Sequence, residues 1–161
     1  MERNLNALLV YILTAILIGA FLIEIFADER PCVLCFLERL GMIGVAIGAL
    51  MNCRLGPHKL HYGLSILSAL FGGAVALRQI ALHICPGFPV FGKSFWGLNL
   101  YTWSFLIFSS SIIYIALLLI SFDQSKKSRM NLWCRYAFFA AFGVTVANII
   151  FSFSVCGWGT C

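Results

Sequence analysis

Residues 31–41 read PCVLCFLERLG, a Cys-x-x-Cys pair followed by a Glu-Arg doublet at the head of an apolar segment. With Pro31 ahead of a helix start, Cys32 sits at the helix N-terminus and Cys35 three residues on, so the two sulfurs lie on neighbouring turns and face the same way. A reversible disulfide can form there. Unsatisfied N–H groups and the helix dipole stabilise thiolates at such a position and make them good leaving groups in exchange. Two plainer uses stand beside this one. Cys-x-x-Cys is half of many zinc sites, but a structural site needs four ligands and no second Cys-x-x-Cys or Cys-x-x-His occurs. A purely structural clip would close so short a loop that it stabilises the fold little.

Arg39 follows Cys35 by four residues. That places it one turn deeper on the same face, roughly 10 Å inside the segment counted from Cys32 at about 1.5 Å per residue. A charge inside a membrane costs a few kcal/mol or more and needs a partner or a function. Local pairing with Glu38 or snorkelling to the interface would be the simplest explanation. Arg78 lies seven residues before Cys85, as Arg39 lies seven after Cys32, so both guanidinium groups reach similar depth and could line one pocket. They would favour a thiolate and donate hydrogen bonds to a small apolar acceptor entering from the bilayer, a description a quinone fits. The terminal CGWGTC sets Cys156 and Cys161 around two glycines and Trp158. That pair could close, exchange with other thiols, or simply form an interfacial loop.

What must position these residues is a set of membrane helices. The 161 residues are 61% hydrophobic and 11% charged, with mean hydropathy +0.96, far from a soluble domain. Apolar runs extend over Leu5–Phe26, about Val33–Asn52, about Tyr62–Cys85, about Trp103–Phe122 and about Trp133–Val155, giving five spans at roughly 20 residues each. The first is too long for a typical signal peptide and has no convincing cleavage site, so it is expected as a mature helix. The formal charge of +5 is scattered over short connections, which points to topology and away from nucleic acid.

CRLGPHKLH and FDQSKKSRMNLWCR carry the basic excess and belong inside; ADERP and the aromatic PGFPVFGKSFWGLNLYT belong outside. The N-terminus is then inside and the C-terminus outside. Cys32, Cys35, Cys85, Cys156 and Cys161 come to the outer face, where disulfides persist, and Cys53 and Cys134 to the reducing inner face as small buried hydrophobes.

PCVLCFLER with its following glycine, ALRQIALH near the third span and GLNLYTW entering the fourth resemble the bacterial DsbB family of quinone-linked, disulfide-generating membrane proteins. The likeness covers about the first 122 residues. It implies that Cys32 and Cys35 are the redox pair and pass electrons to a membrane quinone, ubiquinone or menaquinone. Cys35 would be the thiolate nearest the quinone and Arg39 its electrostatic partner. It implies, too, a periplasmic DsbA-like thioredoxin-fold protein as dithiol partner, whose potential of about −120 mV demands a strongly oxidising acceptor. Two departures stand out. The outer loop holds Cys85 alone where the family has a second pair, and the fifth span lies beyond the family's four-helix plan. The fifth helix would bring Cys156 or Cys161 back to Cys85, or let those two replace the loop pair.

The expected architecture is all-α and polytopic: a four-helix bundle over 1–122, then a basic cytoplasmic loop, a fifth transmembrane helix and a cysteine-containing tail over 123–161. The expected activity is that of a multi-pass thiol oxidase in the bacterial inner membrane, surrounded by lipid. Its rivals are an outward conduit of reducing equivalents through Cys53 and Cys134, or a non-enzymatic subunit that is disulfide-stapled or metal-binding.

Overall fold

The computed structural model describes residues 2–27, 32–84, 96–121 and 132–156, without the side chains of Ala27 and residues 152–156. Five helices carry all of these residues but 32, 56–58, 96–99 and 121: α1 (Glu2–Ala27), α2 (Val33–Leu55), α3 (Lys59–Ile84), α4 (Leu100–Ile120) and α5 (Leu132–Cys156). All five are long and apolar enough to cross a membrane. Their outer faces present Leu67, Ile113, Ile120 and Phe139, as expected of side chains that meet lipid tails.

Helix α2 is the centre of the bundle. It packs on α3 most extensively, and also on α1, α4 and α5; α4 leans on α3, and α5 lies against α1 and α2. Association in lipid depends on close packing, because tails are as apolar as the helices themselves. The sequence supplies that closeness with glycine. A Cβ on Gly41 would lie 2.9 Å from the Cα of Gly72, and one on Gly48 would lie 2.7 Å from the His61 carbonyl oxygen. The α2–α3 backbones therefore touch where a larger residue would hold them apart. Val10, Leu13, Val45, Ala49, Ala69, Phe108, Ile115 and Ala137 fill the remaining core.

Helices α2 and α3 extend about three residues beyond the apolar runs at the end where they meet. The reason is a closed polar network. Asn52 Nδ2 donates to Asn6 Oδ1 at 3.2 Å, and Asn6 Nδ2 donates to the Glu2 carbonyl at 2.9 Å and the Tyr62 hydroxyl at 3.0 Å. Asn52 Oδ1 accepts from the His58 amide and faces His61 Nδ1, both at 3.1 Å. Polar residues that hydropathy excludes from a span are thus accommodated inside it. With alternating direction, this end gathers the starts of α1, α3 and α5 and the end of α2. The opposite end gathers Glu24, the start of α2, Gln79 and Tyr101.

Candidate functional site

Cys32 caps α2: its extended backbone precedes the first turn, its sulfur accepts from the Cys35 amide at 3.1 Å, and its carbonyl accepts from the Phe36 amide at 3.1 Å. The two cysteines are joined as a disulfide with a Cα–Cα distance of 5.2 Å. Cys-x-x-Cys at a helix start favours this pairing because the cap residue and the residue three on meet over the same turn.

The polar side chain in contact with both sulfurs comes from α3. Gln79 is 2% exposed, and its Nε2 lies 3.6 Å from Cys32 Sγ and 3.7 Å from Cys35 Sγ, while its Oε1 is buried without a hydrogen-bond partner. One turn on, His83 Nδ1 is 2.7 Å from the Gln79 carbonyl oxygen. A carbonyl only accepts, so Nδ1 carries the hydrogen. The His83 ring stacks on Tyr101 of α4 at 4.9 Å between centroids, tying α3 to α4 beside the disulfide.

Arg39 points elsewhere. Its Nη2 lies 2.7 Å from Glu24 Oε2 of α1, with side chains only 11% and 8% exposed, and its Nη1 reaches Asn148 Oδ1 of α5 at 3.4 Å. The two opposite charges form a nearly buried ion pair. Asn148 is 4% exposed and is fixed by its own Nδ2 donating to the Val144 carbonyl at 2.9 Å. The close ion-pair partner of Arg39 is therefore Glu24 of α1. Glu38 is itself buried and interacts with Ser104 of α4. Arg78 is exposed on α3; it is the adjacent Gln79 that turns inward.

Cys85 and Cys161 lie outside the described residues, and Cys156 ends α5 with its side chain undescribed. Gln79, Glu24 and Asn148 are the residues that sequence reasoning did not assign. Each is a polar group embedded in an apolar span, which is itself the signal that could have raised them.

The match to the family model of Disulfide bond formation protein DsbB covers residues 2–92, hence α1 to α3. Disulfide bond formation protein B of Burkholderia pseudomallei (strain K96243) is 30% identical over 90 residues, 54% of this chain and 53% of that protein. That of Chromobacterium violaceum is 38% identical over 76 residues, 42% and 46% of the two chains, and that of Cupriavidus metallidurans 36% over 81 residues, 49% and 50%. The chain spans about half the length of the curated relatives it matches. No solved structure matches it.

Proposed function

The chain belongs to the DsbB family of disulfide bond formation proteins, and from that premise we propose that it is a membrane thiol oxidase that re-oxidises a periplasmic thioredoxin-fold dithiol protein. In this reading it sits in the bacterial inner membrane with Cys32 and Cys35 at the periplasmic side. The observation that carries the proposal is the disulfide at the cap of α2, held against Gln79 in the water-poor end of a helical bundle.

A membrane quinone supplies a lipid-soluble acceptor of two electrons and two protons. The residues around the disulfide fit such a group. Gln79 Oε1 is an acceptor left over beside the sulfurs, His83 has Nε2 as a second acceptor because its Nδ1 carries the hydrogen, and Arg39 is a donor at the same end of the bundle. Together they suit a ligand that bears carbonyl oxygens before reduction and hydroxyls after it. The exposed Val33, Phe36 and Leu40 on α2 give it an apolar approach from lipid.

The chain's own residues act as follows. A thiolate of the reduced partner attacks an outer disulfide formed by Cys85 with Cys156 or Cys161, or by the terminal two with each other. Exchange passes the two electrons to Cys32 and Cys35 and releases the partner oxidised. When Cys35 leaves as a thiolate, the α2 N-terminus and Gln79 Nε2 stabilise its charge. Arg39, clamped by Glu24 and Asn148, sets a fixed cation and donor one turn below. The sum is partner dithiol plus quinone giving partner disulfide plus quinol.

An outward conduit would have to carry electrons from Cys53 to Cys35, eighteen residues apart on α2. That is about 27 Å at 1.5 Å per residue, far beyond thiol–disulfide contact. The oxidase reading is tested by adding a reduced thioredoxin-fold partner and a soluble quinone to the purified protein and following quinol formation. Turnover that vanishes in Cys35→Ser supports it; a folded wild-type protein that never reduces quinone ends it.

A further inference from the structure

At the end of the bundle away from the disulfide, two more thiols meet. Cys53, in the last turn of α2, and Cys134, in the first turns of α5, are unpaired and only 1% and 2% exposed. Their sulfurs converge on one acceptor, the Arg3 carbonyl, at 3.5 Å and 3.7 Å. They come from positions 81 apart in sequence, 134 less 53. Both line a cavity of about 200 Å³ whose other walls are Leu50, Phe138 and Phe139, with Arg54 and Arg135 among its lining residues. Arg54 stacks over the Phe138 ring at 5.8 Å, and Arg3 keeps Nε and Nη1 buried without a hydrogen-bond partner.

We propose that Cys53 and Cys134 form a two-thiolate site for a soft monovalent metal cation of the copper(I) class. Paired thiolates in an apolar, water-poor shell select such an ion over harder ones. Among the described residues no group of three or more His, Cys, Asp or Glu gathers, so the pair offers two-coordinate and not tetrahedral ligation. The cations explain how charge balances. Metal binding requires deprotonated thiols, and one monovalent ion with two thiolates leaves a net charge of −1, which Arg3, Arg54 and Arg135 offset.

The same charges suit delivery. In a thiol-rich compartment the ion travels as an anionic bis-thiolate complex, which the arginines attract to the cavity. Exchange is then isoelectronic: two metal–sulfur bonds to the carrier break and two to Cys53 and Cys134 form. The two protein thiol protons leave on the two carrier thiols, and the metal keeps its oxidation state. The cytoplasmic setting of this end rests on the orientation proposed above; the binding chemistry does not.

The test titrates the full-length protein in detergent with copper(I) against a chromophoric chelator, without a thiol reductant, so that Cys32 and Cys35 stay joined. Wild type should hold one ion more than Cys53→Ser, Cys134→Ser or the double variant, with each single variant equal to the double, because neither thiol retains the ion alone. Single variants that keep the ion overturn the site. X-ray absorption on copper-loaded wild type needs no variant and should give two sulfur neighbours in a near-linear arrangement; three or more sulfurs, or nitrogen and oxygen neighbours, overturn it. Arg54→Gln with Arg135→Gln should slow transfer from an anionic thiolate complex about tenfold without lowering the final stoichiometry. An unchanged rate overturns the delivery step. Cys35→Ser separates this site from the oxidase reading, since it should stop quinone reduction and leave the ion count at the Cys53–Cys134 pair intact.

Discussion

The two ends of α2 each hold a pair of thiols, and they are built in opposite ways. Cys32 and Cys35 are three residues apart, share one helical turn and are joined in a disulfide that the Gln79 amide contacts. Cys53 and Cys134 come from different helices, remain unpaired, and share a carbonyl and an apolar cavity. The first pair follows from helix geometry wherever a helix starts at that motif. The second exists only because α5 packs on α2. A local pair can open and close without moving a helix, which suits a redox centre; a pair split between helices joins the thiols through packing, which suits a held ligand.

Cys35→Ser should separate the two thiol pairs most strongly. Quinol formation should fall to background, and Cys35→Ser should still hold one copper(I) ion more than Cys35→Ser combined with Cys53→Ser, which shows whether the far pair is independent. Glu24→Gln comes next. It leaves Arg39 as an unpaired, nearly buried charge, at an expected cost of about 3–5 kcal/mol in a denaturant titration in detergent. The double variant with Arg39→Gln should recover most of that stability while lowering quinone turnover. A single Glu24→Gln variant as stable as wild type would mean that the pair does not hold α1 to α2.

Gly48→Val acts nearer the Cys53 end. Overpacking against His61 and Ser65 should cost about 1–3 kcal/mol and, if the ends are separate, should leave the KM for quinone unchanged. A raised KM would show strain travelling the length of α2. The smallest effect is expected of Asn148→Leu, which removes a long hydrogen bond to Arg39 worth about 1 kcal/mol. The KM for quinone should rise roughly fivefold with kcat nearly constant. No change would mean that α5 touches the Arg39 cluster without positioning it.

Residues outside the first pair show why much of the site was hard to read. Arg39 is conspicuous as a charge within a span, yet its ion-pair partner Glu24 stands fifteen positions earlier on another helix, a separation that no local pattern announces. Arg78 and Gln79 are adjacent on α3, yet the charged one is exposed and the buried one meets the sulfurs. One helical residue is about 100° of rotation, so neighbours in sequence face different surroundings.

Local chemistry makes one part of this molecule readable from its residues alone. Long apolar runs force helices because lipid cannot satisfy a backbone, and a Cys-x-x-Cys at a helix start brings two sulfurs together whatever surrounds it. The tertiary structure alone decided which face of each helix meets which neighbour. Spans that are apolar all round carry little sign of their inner face, and small residues set the contacts by allowing approach. Gln79 against the disulfide, Glu24 and Asn148 on Arg39, and Cys134 beside Cys53 all depend on that facing, the last two contacts on a fifth helix lying against α1 and α2.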